Sequence, residues 1–360
     1  MTARKRVLFL SNGHGEDRIA LAIIHELLLL NQSFDIYGLP LVGNGYDYLK
    51  NERLQVIGPQ METKSGGFLK GYRAIVGDLR AGILSLHFKQ IRNARKQSYD
   101  LIVSVGDFLP FMVSAFFLRP HKQILISTAK SDLFEPHFGI ETFGFKMTNT
   151  RVFARDEVTA LSLQAEGVDA EYVGNVMMDL VNVNRSKSNR VTTLGVLPGS
   201  RQEAYVNFLR IKEVLLTLPS DWKILLAPPS SLDSHLFDLS GFRQGVTQVS
   251  FEEMLSVVDG VIGLAGTANE QCIGHGIPVF CFEGTGPQTT QKRFLDQNKL
   301  LKGLTEYVPS KQSDIIAKQI EKRMKDPAFL ERVRIEGPRV MGKPGGAKAI
   351  ARELECILES

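Results

Sequence analysis

Short apolar runs rich in β-branched residues alternate with amphipathic stretches along most of the chain, the pattern of parallel sheets threaded with helices. In the first half the strand runs are Arg6 to Leu10, Phe34 to Leu39, Leu101 to Val105, Gln123 to Ser127, Val152 to Ala154 and Glu171 to Val173. Helical stretches such as Asp17 to Leu30 and Asp156 to Glu166 separate them. The polar segment Asn182 to Arg190 reads as a linker. A second series follows: Thr193 to Leu197, Trp222 to Ala227, Val246 to Val249, Gly260 to Leu264 and Pro278 to Phe282. Past Arg334, breaks at Gly337-Pro338 and Pro344-Gly345-Gly346 set off a last helix, Ala347 to Leu358. The pattern predicts an α/β chain of two doubly wound domains, 1–181 and 190–336, with a C-terminal helix over 345–358 that it assigns to neither.

Composition adds little to that picture, but charge adds more. The 360 residues have the apolar and charged fractions of an ordinary globular protein. Cys272, Cys281 and Cys356 show no CxxC spacing, so neither a disulfide framework nor a zinc site is signalled and a reducing cytoplasm is expected. The four apolar residues Val7 to Leu10 are too few for a signal sequence, and Phe108 to Leu118 falls short of the roughly 20 residues of a membrane span. The net charge is +4, unevenly placed. Between Met61 and Lys96, Lys64, Lys70, Arg73, Arg80, Lys89, Arg92, Arg95 and Lys96 stand against Glu62 and Asp78, with Phe68, Tyr72, Ile75, Leu79, Phe88 and Ile91 interleaved. Such a stretch either lies on an anionic lipid surface or forms a helix pair with its apolar side in the core. No nucleic-acid motif accompanies it.

In open α/β sheets ligands bind beyond the carboxyl ends of the strands, so the chemistry is sought in the loops there. Ser11-Asn12-Gly13-His14-Gly15-Glu16-Asp17 lacks the third glycine of the GxGxxG fingerprint, which disfavours a dinucleotide. His14, between Gly13 and Gly15, is either an acid–base group or a surface histidine. In Val105-Gly106-Asp107, Asp107 is either a helix N-cap or a general base. Gly174-Asn175 closes another strand. Two turns in the second half, Gly199-Ser200-Arg201-Gln202-Glu203 and Gly266-Thr267-Ala268-Asn269-Glu270, carry Ser/Thr followed three residues later by Glu, the capping box of a helix N-terminus. Ser200 and Glu203 are expected to cap a helix from Arg201 to Leu218. Free N–H groups beside such turns attract anions, and Arg201 supplies a fork for phosphate oxygens. Glu270 either completes its box or accepts hydrogen bonds from ribose hydroxyls. The polar loop Glu283 to Gln291 offers Gln288 and Gln291 to sugar hydroxyls, or is a plain connection. No Asp-x-Asp occurs, so no metal-chelated diphosphate is signalled.

Leu197-Pro198-Gly199-Ser200-Arg201, Gly266-Thr267-Ala268-Asn269-Glu270-Gln271-Cys272 and Gly276-Ile277-Pro278-Val279 resemble lipid-A-disaccharide synthase and, more distantly, the peptidoglycan N-acetylglucosaminyl transferase. Val105-Gly106-Asp107, and Gly174-Asn175 with Met178-Asp179, are similar to further motifs of that family. The resemblance implies the GT-B fold, with two Rossmann-like domains facing a cleft. It implies a UDP-sugar in the second domain, with Glu270 on ribose, Gly199, Ser200, Arg201, Gly266 and Thr267 near the diphosphate, and no further cofactor. It also implies acceptor binding in the first domain, beside Gly13, Gly15 and Asn175, often at the inner face of a membrane, with Asp107 or His14 as base. The chain departs from lipid-A-disaccharide synthases in its first loop and in Thr128-Ala129-Lys130-Ser131-Asp132, which sets it on a distinct branch.

The expected activity is inverting, metal-independent transfer of a hexose or N-acetylhexosamine from a UDP-sugar to a lipid-linked or amphiphilic acceptor. The alternatives are a nucleotide-sugar epimerase and a non-catalytic binder of a nucleotide sugar or lipid. Sequence leaves the sugar, the acceptor and the oligomeric state open.

Overall fold

The computed structural model of the chain describes residues 4–60, 83–106, 108–128, 130–181, 183, 185, 191–242, 245–286 and 288–360, with His14, Ile83 and Leu84 described by backbone alone. They divide into two compact units, Met1–Leu180 with Pro344–Ser360, and Val181–Lys343.

The first unit contains strands β1 (Arg6–Ser11), β2 (Asp35–Pro40), β3 (Leu54–Val56), β4 (Leu101–Gly106), β5 (Gln123–Ser127), β6 (Arg151–Phe153) and β7 (Ala170–Glu171). All pair in parallel, in the order β3-β2-β1-β4-β5-β6-β7. Helices cover both faces, so successive residues of one strand enter different cores. Val7 and Phe9 join Ile19, Ile23 and Leu27 of the helix His14–Leu30, while Leu8 and Leu10 join Tyr37, Ala94 and Ile102. Burial on both faces is why these strands are continuous apolar runs.

The second unit contains β8 (Thr193–Leu197), β9 (Lys223–Leu226), β10 (Val246–Gln248), β11 (Gly260–Gly263), β12 (Val279–Cys281) and β13 (Thr305–Tyr307). These also pair in parallel, in the order β10-β9-β8-β11-β12-β13. Each sheet runs outward from its first strand on one side and then returns to the other side. The reversal falls between β1 and β4 in the first unit and between β8 and β11 in the second.

The last helix, Gly346–Glu359, belongs to the first unit. Ala347, Ile350, Ala351, Leu354 and Leu358 are buried in the cluster of Val7, Phe9 and Ile23. Its N-terminus is held by Asp179, whose carboxylate accepts from the backbone N–H of Gly345 and, at 2.7 Å, from that of Ala347.

The expected break at Gly337-Pro338 does not occur, because the helix Pro327–Met341 runs through both residues. Packing explains its survival. A Cβ on Gly337 would lie 2.0 Å from the carbonyl oxygen of Ile273, so the glycine permits close approach to the helix Thr267–Gly274. Pro338 leaves the carbonyl of Arg334 without its helical donor, and Gly276 packs against that carbonyl. Most of the expected linker, and residues 61–82 of the expected lipid-facing stretch, lie outside the described residues. The remainder of that stretch forms the helix Ile83–Ala94.

Candidate functional site

In the second unit both Gly turns emerge at the reversal point, one after β8 and one after β11. They touch. Gly199 has φ +112°, and a Cβ there would meet the carbonyl oxygen of Leu264 at 3.2 Å, so both backbone conformation and space require glycine. The Leu264 N–H donates to Leu197 O at 2.8 Å and fixes the register of the two turns. A third loop joins through Asn207, a buried residue that sequence reasoning passed over. Its Nδ2 donates to Pro198 O (3.3 Å) and Thr285 O (3.2 Å), and its Oδ1 accepts from the Thr285 N–H (2.7 Å). Its only sequence signal is an amide beside the apolar positions Ala204, Phe208 and Ile211 of one helix face.

Neither capping box forms. The first helix starts at Ala204, with Glu203 as an N-cap residue in helical conformation (φ −62°, ψ −15°) and no side-chain cap. Ser200 is exposed ahead of it, and residues 201–203 form a turn closed by the Ala204 N–H on Arg201 O at 2.8 Å. The second helix, Thr267–Gly274, has Gly266 as its N-cap, which places Thr267 one residue too late to cap. Both N-termini therefore lack a side-chain cap. Gly266 and Thr267 are exposed, and among the described residues the Arg201 guanidinium has no hydrogen-bond or ion-pair partner. An uncapped helix start and an unpaired guanidinium at one reversal point are complementary to an anion.

Glu270 is buried, and its Oε1 accepts from Gln297 Nε2 at 3.4 Å. Gln288 is half-buried in the loop after β12. Gln291 opens the helix Gln291–Leu300, and its N–H donates to Glu283 at 3.2 Å. That helix is capped by Thr290.

In the first unit the end of β4 also meets the segment that follows β1. Gly106 has φ +126°, and a Cβ there would lie 3.2 Å from Glu16 Cγ and 3.5 Å from Asn12 Cβ. Gly106, the last residue of β4, thus abuts the segment on either side of His14. Asp107 and the side chain of His14 lie outside the described residues. The backbone shows that His14 is not in an open loop: the helix begins at His14, with Gly13 as its N-cap, and Gly15 falls in its first turn. Asn175 spends its side chain on a cap, accepting from the Met177 N–H at 3.0 Å.

Beneath this segment lies a polar cluster the sequence did not reveal. Asp17 is fully buried on the same helical stripe as Ala20, Ile24 and Leu27. Ser11 Oγ donates to its Oδ1 at 2.5 Å, and the Asp17 N–H donates to Gly13 O at 2.8 Å. Among the described residues its Oδ2 has no hydrogen-bond partner, and neither does the hydroxyl of Tyr48, also fully buried. Burial pushes the Asp17 carboxyl up to about 7 from 3.8. The Ser11 hydroxyl opposes that rise, while the nearby Glu16 and Asp47 add to it. Burial, with the charge of Asp17, raises the Tyr48 phenol as well.

The same unit exposes an apolar helix face. On Gly139–Met147, Ile140 (71% exposed), Phe143 (59%) and Met147 (70%) share one side, and Phe138 lies exposed just ahead, over Lys130 Nζ at 3.9 Å from its ring centre. Glu141, the acid of that helix, is turned inward. Its carboxylate accepts from His137 Nδ1 (3.0 Å) and the Phe138 N–H (2.9 Å). Burial alone would raise the Glu141 carboxyl, but those two hydrogen bonds and the charge of Lys130 hold it below its ordinary value. No helix among the described residues is long and apolar enough to cross a membrane, and no cluster of three or more His, Cys, Asp or Glu among them is placed to hold a metal ion.

No protein-family model matches the chain, and no curated protein matches it. Solved structures do. The calicheamicin glycosyltransferase CalG4 superposes with a TM-score of 0.65 at 17% identity, covering 100% of this chain and 99% of that one. MurG of Acinetobacter baumannii gives 0.61 at 12% identity, over 98% and 99%. A protein of Listeria monocytogenes assigned as a UDP-N-acetylglucosamine 2-epimerase gives 0.62 at 14% identity, over 100% and 97%. These likenesses establish the architecture expected from the sequence: two Rossmann-like domains of the GT-B type with a C-terminal helix.

Proposed function

We propose that the chain is a glycosyltransferase that moves a hexose or N-acetylhexosamine from a UDP-sugar to a lipid-linked or amphiphilic acceptor, with inversion and without a metal ion. One observation carries this reading: the two Gly turns meet at the reversal point of the second sheet and bring an uncapped helix start and the unpaired Arg201 to one place. The diphosphate binds there, and Glu270 takes the ribose hydroxyls. The acceptor sits at the reversal point of the first unit. Its hydroxyl attacks the anomeric carbon while His14 or Asp107 takes the proton, and the bond to the UDP oxygen breaks. Arg201 and the helix N-terminus hold the charge that develops on UDP. The absence of any Asp-x-Asp supports diphosphate binding without a metal. An amphiphilic acceptor, with the chain docked peripherally on a cytoplasmic membrane face, is supported by the apolar side of Gly139–Met147 and the basic residues of 61–96.

Isothermal titration calorimetry with UDP tests the donor site. The wild type is expected to bind, with Arg201→Ala and Glu270→Ala each weakening affinity about 10- to 100-fold, the loss of a charged hydrogen bond. His14→Ala and Asp107→Ala are expected to keep UDP affinity and lower turnover about 100-fold or more. A wild type that does not bind UDP overturns the reading. The likeness to the Listeria protein supports a second reading, an epimerase using the same donor site. An epimer formed from UDP-N-acetylglucosamine without acceptor, seen by NMR, would favour it.

A further inference from the structure

Gln297 belongs to the helix Gln291–Leu300 and to neither Gly turn, yet its side chain joins the parts of the donor site. Its Nε2 donates to Gly266 O at 3.0 Å and to Glu270 Oε1 at 3.4 Å. Its Oε1 accepts from Asn269 Nδ2 at 3.2 Å, and that nitrogen also donates to Gly263 O at 3.1 Å at the end of β11. A primary amide has two N–H donors and one acceptor oxygen. Here the donors and the oxygen are all engaged, in a single orientation. Turning the amide over would set its oxygen against a carbonyl and a carboxylate, both acceptors, and its N–H groups against the Asn269 donor.

We infer that Gln297 is a positioning residue: it fixes the Glu270 carboxylate for the ribose hydroxyls and so makes the site select ribonucleotides over 2′-deoxyribonucleotides. The inference rests on the UDP-sugar reading. The selectivity has a physical source. A carboxylate steadied by an amide anchored to the Gly266 turn stays aimed at the ribose when a hydroxyl is missing, so a deoxy ligand leaves the ribose-facing side of it without a donor, which costs more than a neutral contact would. A carboxylate without that anchor is less firmly aimed, and the penalty shrinks. Asn269 plays the supporting part, since its amide orients Gln297 from the strand below.

Calorimetry with UDP and 2′-deoxy-UDP tests this without knowledge of sugar or acceptor. The wild type is expected to bind UDP at least tenfold more tightly than 2′-deoxy-UDP. In Gln297→Leu, UDP affinity is expected to fall severalfold and 2′-deoxy-UDP affinity to rise severalfold, bringing the ratio to within about threefold. Gln297→Glu, close to isosteric, sets a second carboxylate beside Glu270 and is expected to lose the preference too, which keeps the test alive if the leucine variant does not fold. Melting curves confirm that each titrated variant is folded. A wild type that binds both nucleotides equally, or folded variants that keep the wild-type ratio, overturn the inference and leave the donor site standing. A wild type that binds neither overturns the donor site itself.

Discussion

Asp17→Asn is the most direct probe of the buried cluster under the first-unit loops. Burial holds the Asp17 carboxyl near 7, against 3.8 in the unfolded chain. Below pH 3.8 the group is protonated in both states and contributes no difference. Between 3.8 and about 7 the unfolded state releases a proton that the native state keeps, so stability falls as pH rises. Above 7 the penalty is complete. At about 1.4 kcal/mol per unit it amounts to about 4 kcal/mol, of which about 3 kcal/mol accrues between pH 5 and 7. Asparagine is nearly isosteric with the protonated acid and does not ionise. Urea unfolding of both proteins at pH 5, 6, 7 and 8, followed by far-UV circular dichroism, should show the variant gaining on the wild type up to pH 7 and then holding level. The difference between the two curves, not either curve alone, is the measured quantity, because every other titrating group cancels. A difference that stays flat from pH 5 to 8, or that shrinks, refutes the assignment of a neutral Asp17.

Two further outcomes follow from the geometry. Asn207→Ala removes three hydrogen bonds at a buried position and leaves the Thr285 N–H without its partner, so urea unfolding should show a loss of about 1–3 kcal/mol. The double variant Ile140→Asp with Phe143→Asp changes exposed positions, so it should keep UDP affinity and melting temperature while losing sedimentation with vesicles rich in anionic phospholipid; unchanged sedimentation would refute the membrane-facing role of that helix.

The strands buried on both faces were readable because runs such as Val7 to Leu10 or Leu101 to Val103 are apolar at every position, which a strand exposed on one face would not be. β3 and β13 were not, since Leu54-Gln55-Val56 and Thr305-Glu306-Tyr307 are three residues long with a polar centre and present no run. The candidate turns were found in the right places, while the capping chemistry given to them was wrong. Ser-x-x-Glu is a local signal, but register is decided by packing: the turn at residues 201–203 delays the first helix, and the second starts with Gly266 at the cap. Asp17, Asn207 and Gln297 escaped notice because each is a polar residue on a helix, and only tertiary contact shows whether such a side chain faces water, a loop or a carboxylate.

The position of the last helix has a consequence for synthesis. Ile350, Leu354 and Leu358 complete the core that β1 begins, each worth about 1.5–3 kcal/mol when buried. On the ribosome the second unit, Val181–Lys343, emerges whole while the first still lacks a wall of its core. The part made first is therefore finished last, and until residue 358 clears the exit tunnel it presents an open apolar face to chaperones. Truncation after Lys343 would make that open state permanent.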